Sequence, residues 1–106
     1  MTNELIQRIY NDLRQIGSCD SRGSFSVDFL GSNEAYYRTV QARGETISVQ
    51  AQAYLAAGLR NIGMCFVKSE FPQLRDKGAV MLDMHEQVLE DLFERVTLNA
   101  LTFEAE

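Results

Sequence analysis

The chain has 106 residues, a formal net charge of −5, 45% hydrophobic and 24% charged residues. That length suits one domain with its own core, and no apolar run reaches the roughly 18 residues a membrane-spanning helix needs. Net acidity argues against nucleic acid as a default partner, because phosphate neutralisation supplies most non-specific affinity.

The pattern predicts an all-α protein of five or six helices, read as a single domain over residues 1–106. In the first helix Leu5, Ile6, Ile9, Tyr10, Leu13 and Ile16 recur at helical spacing, with Thr2 as cap and Gly17 as stop. SCDSRGS (18–24) has loop composition. A short second helix is expected with Ser24 as cap, Phe25, Val27, Phe29 and Leu30 as its apolar content, and Gly31 at its end. Ser32 is expected to cap a third helix over 33–43, closed by Gly44. After the turn GETIS, Ser48 caps a fourth helix carrying Val49, Ala51, Leu55, Leu59 and Ile62 on one side. Gly58 and Gly63 weaken its end. MCFVKSEF either prolongs it or forms a separate turn, and Pro72 ends what precedes it or starts a helix. From Ala79 a long C-terminal helix is predicted over 79–100. Met81, Met84, Val88, Leu92 and Val96 form one stripe, with Leu82, Leu89 and Phe93 beside it. Asp83, Glu86, Glu90, Asp91 and Glu94 fill the other face. TLNALTFEAE (97–106) reads as a frayed end or an extended tail.

Charge is unevenly placed. Residues 1–62 hold six acids and six arginines, whereas residues 63–106 hold nine acids against four bases. MTNELIQRIYNDLRQ mixes charge throughout and is no signal peptide. Cys19 and Cys65 are therefore expected to be reduced thiols, and the protein cytoplasmic.

Within FLGSNEAYYRTVQARG, Leu30–Gly31 at a turn, inward Tyr37 and Val40, then Ser48, Leu55–Ala56 and Leu59 fall in one register. Over residues 24–60 this resembles the phage-repressor (Cro-like) helix-turn-helix domains. Ser32, Val27 and Ile47 depart from their usual residues, and Gly44 lies one position late. The segment is also similar to small uncharacterised bacterial proteins with an Asp-Phe-Leu-Gly and Tyr-Tyr pattern followed by Ala-Arg-Gly, which implies no function. The repressor resemblance implies a helix-turn-helix-like core and a DNA-reading third helix. Asn33, Glu34, Arg38 and Gln41 would then contact bases, and Arg22, Arg43 and Arg60 would contact phosphates. A repressor-like unit is complete by about residue 60. The stripe Met81, Met84, Val88, Leu92 and Val96 either covers the core or forms a homodimer interface.

His85 is the only histidine, and no zinc spacing surrounds it. No phosphate loop, nucleophile–base pair or spaced carboxylate pair is present, so neither enzyme activity, a metal nor a cofactor is expected. The sequence names no small-molecule effector. The leading expectation is a small DNA-binding protein, a dimeric transcriptional regulator. The alternative is a non-enzymatic helical protein-interaction module that does not bind DNA.

Overall fold

The computed structural model describes the backbone of residues 1–105 and the side chains of residues 1–98. It is all-helical, with five helices and, among the described residues, no strand.

Helix α1 (Asn3–Gln15) starts where Leu5 N–H donates to the Thr2 hydroxyl at 3.2 Å, and it buries Ile6, Ile9, Tyr10 and Leu13. Helix α2 (Arg22–Asp28) starts earlier than its composition suggests. Ser21, not Ser24, is the cap: Ser24 N–H donates to Ser21 Oγ, and Ser21 N–H donates back to Ser24 Oγ. This reciprocal pair satisfies two amides that a helix start leaves open.

Helix α3 is only Tyr36–Ala42, with no side-chain cap. Ser32 does not cap it; its N–H donates to the Ser26 carbonyl. Buried Ser26 sets the helix start by accepting Tyr37 N–H at 3.0 Å while donating to the Arg22 carbonyl. The Tyr37 ring then packs edge-on against Phe25 and Tyr10, and Phe25 stacks on Phe29. Tyr36 acts differently: its hydroxyl accepts Ser48 N–H at 2.9 Å and ties α3 to the next helix. Both tyrosines of the NEAYYR segment therefore serve the fold.

Helix α4 (Val49–Val67) begins where Ala51 N–H donates to Ser48 Oγ, and it runs through MCFV without a break. Helix α5 (Pro72–Ala105) follows after a tight turn, with Pro72 at its first position. It therefore begins before Ala79, and it is continuous through the ambiguous C-terminal stretch as far as Ala105.

α4 and α5 form an antiparallel hairpin that dominates the packing. Gly63 faces Gly78, Gln52 faces Val88, and Ile47 lies by Arg95. The glycine pair lets the two backbones touch. A Cβ on Gly78 would lie 2.7 Å from Val67 N and 2.8 Å from the Gly63 carbonyl oxygen. Gly63 is thus a packing position, not merely a weak point in α4. At about 1.5 Å per residue α4 spans roughly 29 Å and α5 roughly 51 Å. The molecule measures 53 × 26 × 20 Å. Because Arg95 already lies level with the start of α4, the end of α5 runs past the bundle.

Met81, Met84 and Val88 are 0%, 4% and 0% exposed within the single chain. They belong to its own core and are not available to a dimer partner. Leu92 is half-buried, and only Val96 of the stripe is exposed.

Candidate functional site

The surface around α3 is where the repressor resemblance led base contacts to be expected. Arg22 opens α2, and Arg38 lies on α3. Together with Arg14 of α1 they line an open cleft of about 730 Å³. Asp20, Asp28 and Glu34 line the same cleft, so its formal charges cancel. No carboxylate lies within ion-pair distance of these arginines among the described residues. Arg14 instead stands 5.8 Å over the Tyr10 ring. Burial raises the pKa of the Tyr37 hydroxyl, Arg22 opposes this, and Tyr10 adds to it.

The other predicted contacts are not gathered there. Asn33 precedes α3, and its Oδ1 accepts Ala35 N–H at 3.0 Å. Gln41 Nε2 donates to the Tyr37 hydroxyl at 3.4 Å. Arg43 and Arg60 are exposed but do not line the cleft. Of the four predicted base readers, only Arg38 and Gln41 lie on the helix meant to present them.

A second constellation joins α4, α5 and the N-terminus. Gln52 is fully buried. Its Nε2 donates to the Val88 carbonyl at 3.2 Å and to Asp91 Oδ2 at 2.8 Å, and its Oε1 accepts from Arg95 at 3.1 Å. Arg95 also donates to the Ile47 carbonyl at 2.7 Å. The Met1 α-amine pairs with Asp91 at 3.0 Å, and the Thr46 hydroxyl donates to the Met1 carbonyl. Burial disfavours the Asp91 charge. The hydrogen bonds from Gln52 and the amine, with the amine and Arg95 charges, outweigh it and hold the carboxyl below its usual range. Asp91 is thus no member of a solvated acidic face. Gln52 gave the only sequence signal, a polar residue within the Ala51, Leu55, Ala56, Leu59 stripe.

His85 Nδ1 lies 2.8 Å from the Ala56 carbonyl, which only accepts, so that nitrogen carries a proton. No group of three or more His, Cys, Asp or Glu converges as a metal site among the described residues. Cys19 and Cys65 are both free. Burial raises the Cys19 thiol pKa, against the effect of Arg14. None of the described helices is long and apolar enough to cross a membrane.

The C-terminal half of α5 exposes several large apolar side chains close together. Phe93 is 63% exposed and Val96 46%. A shallow groove of about 740 Å³ runs beside them, with Leu89, Phe93 and Leu98 as its apolar part and Glu86, Glu90 and Glu94 along it.

Fold and surfaces together define an all-helical protein built on an α4–α5 hairpin, with a mixed-charge cleft at one side and an acid-flanked apolar helix end. The chain belongs to a family of unknown function (DUF6626), whose model matches residues 6–101. No curated protein and no solved structure matches it. No phage-repressor or other helix-turn-helix family matches either, which overturns the repressor-like reading of residues 24–60. The geometry supplies a physical reason. Residues 29–35 separate α2 from α3, where a helix-turn-helix uses a turn of about three or four residues.

Proposed function

We propose that this protein is a non-enzymatic helical protein-interaction module whose docking element is the outer end of α5. The observation that carries this is Phe93, 63% exposed in the apolar groove along the C-terminal half of α5. Leu89 lies beside it, and Glu86, Glu90 and Glu94 flank it. Large aromatic side chains left in water at the centre of an apolar stripe are typical anchors for a partner. The flanking carboxylates choose its chemistry: an amphipathic helix with an apolar stripe edged by lysine or arginine. Self-pairing would bring two sets of these glutamates together, and Arg95, next to Glu94 in the chain, is already engaged by Ile47 and Gln52.

DNA reading has one observation in its favour, the convergence of Arg14, Arg22 and Arg38 on one cleft. Asp20, Asp28 and Glu34 in that cleft would repel phosphate, so the interaction reading has the better support.

The test is fluorescence anisotropy with a labelled synthetic leucine–lysine amphipathic helix. Saturable binding is expected, with no binding of the matching leucine–glutamate helix. Phe93→Asp should weaken it at least about tenfold, an apolar anchor of this kind supplying about 1.4 kcal/mol or more. The added carboxylate makes this informative, because a purely electrostatic association would strengthen instead. Unchanged or tighter binding by Phe93→Asp rejects the proposal. Concentration-dependent dimers abolished by Phe93→Asp would assign the face to a second copy. A retarded DNA duplex lost on Arg38→Ala would restore DNA reading.

A further inference from the structure

A third feature lies at the other end of α5. A pocket of about 410 Å³ opens between α4, α5 and the segments that follow α1 and α2. Its floor is Phe29 and Met81, 2% and 0% exposed, and its walls include half-buried Ile62, Phe66 and Leu74. One cation stands in this apolar lining. Lys77 Nζ sits above Gly17, 4.0 Å from where a Cβ on that residue would lie. No carboxylate pairs with it among the described residues.

We infer that this pocket binds a small hydrophobic carboxylate, its tail against Phe29, Ile62, Phe66 and Met81 and its carboxylate on the Lys77 ammonium. The volume falls in the range of small-molecule sites, which combine apolar walls with a few placed polar groups. A single ammonium at the rim selects sign. It attracts a carboxylate, repels an amine, and is too little positive charge for a polyphosphate. The half-buried Ser18 in the lining supplies a hydroxyl that can donate to the second carboxylate oxygen. Core voids that merely reflect loose packing are closed and lack a charged group. This one opens to solvent beside a half-buried lysine.

The pocket is independent of the proposed docking end. From position 77 to position 93 α5 rises roughly 24 Å, and the two linings share no residue.

The experiment titrates the full chain with decanoate, decanol and decylamine, following methyl resonances by NMR. Decanoate is expected to bind saturably at one site and to shift the Ile62, Leu74 and Met81 methyls. Decylamine should not shift these methyls, although it can bind among the glutamates of the α5 groove. Lys77→Met should weaken decanoate at least about tenfold and leave decanol unchanged. Lys77→Glu should reverse the preference toward decylamine, a readout that damage to the fold would not produce. The inference is overturned if decanoate fails to saturate below its micelle concentration. It also fails if Lys77→Met binds decanoate as the parent does, if decylamine shifts the Ile62, Leu74 and Met81 methyls of the parent equally well, or if the decanoate shifts map to Leu89 and Val96 instead.

Discussion

Gly31 carries two constraints at once. Its φ is +62°, and a Cβ there would lie 2.7 Å from the Tyr54 ring. A side chain in the left-handed region costs about 1–2 kcal/mol, and a branched one more. Tyr54 is 51% exposed, so its ring can swing away. Backbone strain is therefore the larger effect. Gly31→Val is expected to lower the unfolding free energy by about 2 kcal/mol in a urea titration. Adding Tyr54→Ala should recover less than half of that loss. An unchanged midpoint in the single variant, or full recovery in the double variant, would contradict this account.

At the scale of elements, the α4–α5 crossing sets two glycines against each other in sign. Alanine gains about 1 kcal/mol over glycine inside a helix. At Gly58, where an added Cβ meets nothing within 4 Å, that gain should appear as higher stability. At Gly78 the same Cβ would press on Val67 N, the Gly63 carbonyl and Phe66 Cβ, all under 3.0 Å. Two of these are backbone atoms that cannot rotate away. Overpacking of about 1–3 kcal/mol then exceeds the propensity gain. Thermal melts should show Gly58→Ala raising Tm and Gly78→Ala lowering it, and a rise in both would refute the close crossing. The sequence showed where helices begin and end when the signal is local: Thr2, Ser48, Gly17 and Gly44 all act within one turn of themselves. It did not show where α3 starts, because that depends on Ser26, eleven residues away. Ser21 and Ser24 are alike in composition, and only their reciprocal bonds decide which one caps α2. The same limit applies to the surfaces. The Phe93 stripe and its glutamates are legible as helix periodicity. The Lys77 pocket is not, since its walls come from four separate stretches of chain.

At the scale of the whole molecule, the excess acid of residues 63–106 falls mainly on α5, yet one of those acids holds the chain together. Asp91 joins the Met1 amine and the buried Gln52, and Gln52 in turn holds Arg95 and so the loop at Ile47. Its carboxyl titrates below the usual value of 3.8 in the folded chain, despite burial, because these donors favour the charged form. In the unfolded chain it titrates at the ordinary value. A group with a lowered folded pKa stabilises the fold above its unfolded pKa and ceases to do so as pH falls through the folded one. Hydrogen bonds to a charged group contribute about 1.5–3 kcal/mol. Asparagine at 91 keeps an acceptor for Gln52 but gives up the charge facing the amine and Arg95. Asp91→Asn should therefore cost about 1–2 kcal/mol near pH 7, measured by urea unfolding. The gap between parent and variant should persist down to about pH 5 and close progressively below 3.8, as the parent loses its own carboxylate. Other carboxylates destabilise both chains alike in acid, so the difference isolates Asp91. A gap that stays constant from neutral pH to about pH 2.5 would mean that packing around the side chain, and not its charge, fastens α4 and α5 to the N-terminus.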